Sequence, residues 1–369
     1  MALLINDLKR HHDSIAAELR AALERVLARG WYILGPEVAA FEREFAQACG
    51  AAAGVTVASG TDALELALRA LGVGPGDQVA TVANAGYYGT AAIRAAGAEP
   101  LYVDVEPASM NMDPGALAAA LTPRAKAAIV THLYGQMADM PALLEVAAQA
   151  GIPVVEDCAQ AHGAARAGRP AGSWGAAGCF SFYPTKNLGA LGDGGAVLTS
   201  DAALAERLRR FRQYGWTEKY RVGIPGGRNS RLDELQAAVL RAKLPHLAEW
   251  NRRRRAIARA YSEAFRGLPL RAPENFGDDY VAHLYVIRTA RRDELKAALA
   301  AQGIVAEIHY PVPDHWQLPP LPQAKPPALP VTEQCSRQVL TLPCFPELTR
   351  AEVEAVSRSV VEFFEKPKC

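Results

Sequence analysis

Half of the 369 residues are hydrophobic and 21% are charged, which excludes a disordered chain and leaves material for about two cores. Lys and Arg (40) nearly balance Asp and Glu (39), so the net charge of +1 gives no reason to expect nucleic acid as a partner. No apolar stretch approaches the roughly 20 residues of a membrane helix, and no membrane association is expected.

The apolar Ala2–Ile5 is followed at once by Asn6-Asp7-Leu8-Lys9-Arg10, so no signal-peptide core develops. Amphipathic helical periods run through Ile15–Leu27 and Val38–Ala48. A short β-branched run at Gly54–Ala58 leads into Ser59-Gly60-Thr61-Asp62, which opens a helix over Ala63–Leu71 that ends at Gly72–Gly76. Strands are expected at Gln78–Val82, Pro100–Val103, Ala127–Thr131, Pro153–Val155, Gly178–Phe182 and Gly195–Thr199. Helices over Gly89–Ala96, Pro114–Leu121 and Met140–Ala150 fall between most of them. That alternation predicts an α/β domain with a mostly parallel sheet covered on both faces.

Beyond about Leu244 the texture changes. One long helix is expected at Ala248–Phe265, then a strand at Ala282–Thr289, a helix at Arg292–Gln302, a strand at Ile304–His309, the proline-rich Pro311–Pro330 and a closing helix at Thr349–Glu365. The expectation is a large domain over residues 1–245 and a smaller α+β domain over 246–369. The run Arg252–Arg255 reads as a solvated helix face. Six cysteines without CxxC spacing and eight histidines without HExxH spacing predict reduced thiols, no metal site and a cytoplasmic location.

Three local signals carry chemistry. Lys186 follows an apolar strand and precedes the glycine-rich Gly192-Asp193-Gly194-Gly195, a setting in which burial lowers an amine's pKa and makes it nucleophilic. The plain alternative is a loop lysine reaching solvent. Asp157 ends the run Val154-Val155-Glu156-Asp157, at the carboxyl edge where open α/β sheets place ligands. A carboxylate there suits a protonated pyridine nitrogen; otherwise it is a helix cap. Ser59-Gly60-Thr61-Asp62 exposes N–H groups at a helix start, and Ser181 adds a hydroxyl, as a phosphate seat requires; alone, the run is equally an ordinary capped helix start. Together, in this order, they are the parts of a pyridoxal 5'-phosphate (PLP) site.

With these motifs the chain resembles the DegT/DnrJ/EryC1/StrS family of sugar aminotransferases. The likeness begins at Gly30-Trp31-Tyr32-Ile33-Leu34-Gly35-Pro36-Glu37 and continues through Gly74-Pro75-Gly76-Asp77, His132-Leu133-Tyr134-Gly135-Gln136 and Glu156–Gly163. It includes Phe180–Gly195 and Asn229-Ser230-Arg231-Leu232-Asp233, and closes at His309-Tyr310-Pro311. The resemblance implies PLP-dependent transferase fold type I. It implies that Lys186 binds the cofactor aldehyde covalently and serves as acid and base, and that Asp157 pairs with the pyridine nitrogen. Gln160 would hydrogen-bond the phenolic oxygen, Ala159 would pack on the ring, and Gly60, Thr61 and Ser181 would hold the phosphate. Asn229 would reach the phosphate of a neighbouring subunit, making a homodimer necessary.

One stretch departs from the pattern: Val82-Ala83-Asn84-Ala85-Gly86-Tyr87-Tyr88-Gly89-Thr90 stands where relatives carry a P-S-F-T-F-like run, leaving Tyr87 or Tyr88 as the stacking ring. Tyr183, His309, Tyr310 and His315 are expected at the substrate; the plain alternatives are a Tyr183 that only lines the core and a His315 that only packs in its loop. Dehydratase-type relatives replace the lysine with histidine, and this chain keeps Lys186. The implied reaction transfers an amino group from L-glutamate to a nucleotide-linked 3-keto or 4-keto sugar. The alternatives are amination of a cyclic non-nucleotide ketone, of the inosose or aminoshikimate type, and a PLP- or nucleotide-sugar-binding sensor without turnover.

Overall fold

The computed structural model describes residues 2–317 and 327–365. Seven strands form the main sheet: β1 (Ala53–Val57), β2 (Gln78–Val82), β3 (Glu99–Val103), β4 (Ala125–Thr131), β5 (Val154–Asp157), β6 (Ala177–Ser181) and β7 (Gly195–Thr199). Their spatial order is β1-β7-β6-β5-β4-β2-β3, parallel from β6 to β3, with β7 antiparallel to both its neighbours. The expected mostly parallel sheet is therefore present, with a reversed strand beside the edge.

Side chains on a strand alternate between faces, and here the alternation feeds two cores. Along β4, Ala128 and Val130 join a cluster with Phe41, Phe45 and Phe180, while Ala127 and Ile129 join one with Leu64, Leu68 and Ile93. The first face is covered by α3 (Pro36–Ala48), α6 (Pro114–Ala120), α7 (Met140–Gln149) and α9 (Glu234–Lys243). The second is covered by α4 (Gly60–Ala70), α5 (Tyr88–Ala95) and α8 (Ala202–Phe211). Ahead of them, α1 (Leu8–Asp13) leads into α2 (Ala16–Arg29), which packs on α9.

A third cluster belongs to the C-terminal part. There α10 (Leu247–Ala264), α11 (Arg292–Ala301) and α13 (Arg350–Glu365) enclose a two-stranded antiparallel pair, β8 (Tyr285–Arg288) with β9 (Val339–Leu342). Tyr261, Phe265 and Tyr285 fill it. A further helix, α12 (Pro330–Gln338), runs straight into β9.

The differences from expectation have local causes. Ile304–His309 is not a strand: Ile304 bridges Leu3 and Glu307 bridges Thr341, one residue on each side, so no ladder extends. The strand expected over Ala282–Thr289 shrinks to Tyr285–Arg288 because Ala282 takes a left-handed φ of 44°. Of the Arg252–Arg255 run, Arg252 and Arg253 do pair with Glu249 on the surface. Arg254 departs: it is buried and donates to the carbonyl of Cys344 at 2.6 Å. Part of the proline-rich stretch, 318–326, lies outside the described residues.

Candidate active site

The carboxyl ends of the central strands open onto a cavity of about 710 Å³. Asp157 reaches it because β5 alternates: Glu156 faces the sealed side and Asp157 the open one. Asp157 is 6% exposed, and its Oδ1 accepts from the Ala159 N–H (3.1 Å) while its Oδ2 accepts from the Thr131 hydroxyl (3.3 Å). Burial raises its pKa above the usual value, opposed by the Ala159 bond and the charge of Lys186. No helix starts after it, so it is not a cap.

Lys186 lines the same cavity from the turn after β6. Its backbone N–H donates to the Tyr183 carbonyl (2.9 Å), and the turn is braced on both sides. Asn187 Nδ2 donates to Asn251 Oδ1 (2.8 Å) and to the Val281 carbonyl (3.1 Å), and the buried Lys243 donates to the Gly189 carbonyl (2.7 Å). Burial pushes the Lys186 amine down to about 8, against the pull of Asp157. An amine that gives up its proton near neutrality is a competent nucleophile and a proton carrier.

The third signal closes the site. Ser59 caps α4, its Oγ accepting from the Asp62 N–H at 3.1 Å, so Gly60 and Thr61 occupy the first turn, where N–H groups have no helical acceptor. Both residues and Ser181 line the cavity. A Cβ at Gly60 would stand 2.6 Å from that of Ser181, so only glycine lets this turn close onto the strand end. Free N–H groups, a hydroxyl and a helix start make an anion seat.

Ala159, Gln160, Tyr88, Tyr183, His309 and Tyr310 also line the cavity. Gln160 is oriented: its Oε1 accepts from the Tyr134 N–H (2.6 Å), leaving Nε2 to donate to the Tyr310 hydroxyl (3.2 Å). Tyr87 is not among the lining residues. It precedes α5 with a left-handed φ of 73°, and Tyr88 is the ring brought to the cavity. His315 lies outside the lining, buried against Tyr102 and 3.4 Å from Glu333. Asn229 is exposed and lies outside its own chain's cavity; its neighbour Ser230 is tied to Asp62 (2.6 Å) and to the Ala58 N–H (3.0 Å).

Sequence reasoning missed Asn6, Thr131 and His283, all of which line the cavity. Asn6 arrives because Leu3 pairs beside Ile304, and its Nδ2 donates to the Thr185 carbonyl (3.3 Å), next to Lys186. Only tertiary pairing puts it there, and no local pattern signals that. His283 Nδ1 meets Asn187 Oδ1 at 2.9 Å. Since that amide's nitrogen already donates twice, the histidine is the donor.

The family model for the DegT/DnrJ/EryC1/StrS aminotransferases matches residues 13–361. The chain belongs to this family. It is 47% identical over 366 residues to dTDP-3-amino-3,4,6-trideoxy-alpha-D-glucose transaminase of Streptomyces venezuelae, covering 98% of this chain and 96% of the relative. It is 45% identical over 358 residues to UDP-N-acetyl-3-dehydro-alpha-D-glucosamine 3-aminotransferase of Acidithiobacillus ferrooxidans, covering 96% of each. The crystal structure of S. venezuelae DesV in complex with a ketimine intermediate superposes with a TM-score of 0.93 at 46% identity, covering 99% of both chains. The enzyme is a PLP-dependent aminotransferase of fold type I. Its own residues fit that cofactor: a nucleophilic lysine and a buried acid face one cavity, beside an anion seat that a Cβ at Gly60 would close. Among the described residues, no helix is long and apolar enough to cross a membrane.

Proposed function

We propose that this aminotransferase moves the amino group of L-glutamate onto the C3 ketone of a nucleotide-diphospho sugar. The grouping of Lys186, Asp157 and the Gly60–Thr61 turn at one cavity carries the reading. The position on the sugar is supported by the two relatives above, whose names place the amine or the oxo group at carbon 3.

Bound PLP supplies an aldehyde and an electron-withdrawing ring. Lys186 Nζ would hold the cofactor and would move the proton to and from the substrate carbon. Asp157 would pair with the ring nitrogen and keep it protonated. Gln160, fixed by the Tyr134 N–H and with one Nε2 hydrogen on the Tyr310 hydroxyl, would offer the other to the cofactor's phenolic oxygen. Ala159 and Tyr88, which line the same cavity, would pack against the cofactor ring. The N–H groups of Gly60 and Thr61 and the Ser181 hydroxyl would hold the phosphate, while Tyr183, His309 and Tyr310 would border the sugar. Asn229 serves the phosphate of a second copy, in a homodimer; its exposure outside its own cavity supports this. The same reading divides the chain near residue 245, with the cofactor held by residues 1–245.

The test is spectroscopic. The wild type with PLP should show a visible absorption band that L-glutamate bleaches and a 3-keto nucleotide sugar restores, and Lys186→Ala should lack it. Screening TDP-, UDP- and GDP-linked 3- and 4-keto sugars beside an inosose assigns the acceptor. A band indifferent to glutamate would sink the reading in favour of a sensor, and restoration by the inosose alone in favour of a free cyclic ketone.

A further inference from the structure

Tyr88 and Tyr310 come from distant parts of the chain, yet they form one wall of the cavity, with ring centroids 6.3 Å apart and edge-on. Gly86, in a left-handed turn (φ 80°), lies directly under the Tyr310 ring, where a Cβ would stand 2.7 Å from it. One end of the wall is held by Gln160, which donates to the Tyr310 hydroxyl. The other end is held by Asp314. Its N–H donates to the Ala83 carbonyl (2.7 Å), its Oδ1 accepts from the Tyr87 N–H (2.9 Å) and its Oδ2 from the Thr90 hydroxyl (2.7 Å).

This carboxylate is 1% exposed and does no chemistry in the reaction described above. It does what α5 lacks: the residue before that helix makes no capping bond through its own side chain, and the first turn holds no acidic residue. A negative group placed there satisfies an orphan N–H and complements the helix dipole. Here it comes from a residue 227 positions along the chain, four residues after Tyr310.

We propose that Asp314 is a positioning residue for the acceptor: it latches the Tyr310 segment onto the first turn of α5 and so sets the Tyr88–Tyr310 wall against which the sugar ring packs. The proposal rests on the functional reading above for the identity of the acceptor, while the latch stands on its own contacts. A small donor such as glutamate depends less on that wall than a nucleotide sugar does, so the two half-reactions should separate.

The experiment compares Asp314→Ala and Asp314→Asn in the PLP-loaded enzyme by amide hydrogen exchange and by half-reaction kinetics. Asp314→Ala should speed exchange at Tyr87–Ala91 and raise the KM for the keto sugar by about tenfold or more, leaving the glutamate half-reaction within about twofold. Asp314→Asn should match wild type in exchange at Tyr87–Ala91 and in both half-reactions, because its amide oxygen still accepts from Tyr87 and its NH2 donates to the Thr90 oxygen. Unchanged exchange in Asp314→Ala, equal loss in both half-reactions, or an Asp314→Asn as damaged as the alanine variant would each overturn the latch. If the wild type aminates no nucleotide sugar, the acceptor assignment fails, and exchange alone still decides whether Asp314 holds the wall.

Discussion

Two adjacent carboxylates on β5, Glu156 and Asp157, are both buried and have opposite fates. Glu156 faces the closed side of the sheet and is filled with donors: His132 Nε2 (3.0 Å) and the N–H groups of Gly172 (2.9 Å), Trp174 (2.6 Å) and Gly175 (2.8 Å). Burial pushes its pKa up, but His132 and those N–H groups outweigh it and hold it below the usual value. Asp157, on the open side, has two longer bonds, and its pKa is raised. A satisfied carboxylate builds the fold; an under-satisfied one facing a cavity keeps capacity for a partner. The same contrast accounts for the cluster of His132, Glu156 and Cys158, whose ligand atoms lie within 4.8 Å of one another: the acid's oxygens accept from the His132 ring and from the N–H groups of Gly172, Trp174 and Gly175, which ties the loop to β5.

Removing chemistry from the open side should show most. Lys186→Ala should lower turnover by at least about 10³-fold in a coupled assay with glutamate and keto sugar, in the range expected for loss of a proton-transferring group. Retention of turnover near the wild-type rate would break the assignment. Asp157→Asn should lose about 10²-fold or more in turnover without a drop in its thermal midpoint, since a neutral amide relieves a costly buried charge. In the apoprotein it should also move Lys186 further below a pKa of about 8, because Asp157 is the charge that opposes burial there. The pH dependence of Lys186 modification by an amine reagent reads that shift.

Much of this contrast was legible in the sequence, and its limits are physical. Asp157 and Lys186 announce themselves because each follows a run of apolar strand residues, and strands with continuous burial are read easily. The sheet's reversed strand β7 gives no such sign, since a buried antiparallel strand has the same apolar run as a parallel one. The anchors of Glu156 are also silent: Gly172, Trp174 and Gly175 lie 16 to 19 residues downstream, and their N–H groups turn toward it only when the loop folds back. Arg254 reads as one of four surface arginines until α10 docks and turns it inward. Asn6 and Asp314 act on segments 179 and 227 residues away, distances over which local pattern carries no information.

On the closed side the expected loss is of stability. Glu156→Gln replaces one acceptor oxygen with an NH2 that faces either the His132 ring N–H or the N–H groups of Trp174 and Gly175. Leaving such donors unpaired in a fully buried site should cost about 3 kcal/mol in urea unfolding, while the folded fraction keeps its turnover per active site. A variant as stable as wild type but inactive would reverse the roles assigned to the two faces.

Asp314 tests the contrast from an intermediate position, because it is buried like Glu156 but has fewer donors. Burial pushes its carboxyl up to about 6 from 3.8, and the bonds from Thr90 and Tyr87 offset only part of that. The hydroxyls of Tyr102 and Tyr310 lie near it, and its own hydrogen bonds come from neutral donors, the Thr90 hydroxyl and the Tyr87 N–H. Its folded-state pKa is therefore above the unfolded one, so between pH 3.8 and about 6 the folded chain holds a proton that the unfolded chain releases. Folding gains from this site as pH falls through that window, and above it the charged form costs up to about 3 kcal/mol. Asp314→Asn carries no charge at any pH and keeps the latch, so its thermal midpoint should exceed that of wild type at pH 8, with the gap closing as pH falls from 6 toward 4. A gap that stays constant across this range would mean that the carboxylate escapes its burial cost, and the site would then belong with the satisfied acid at 156.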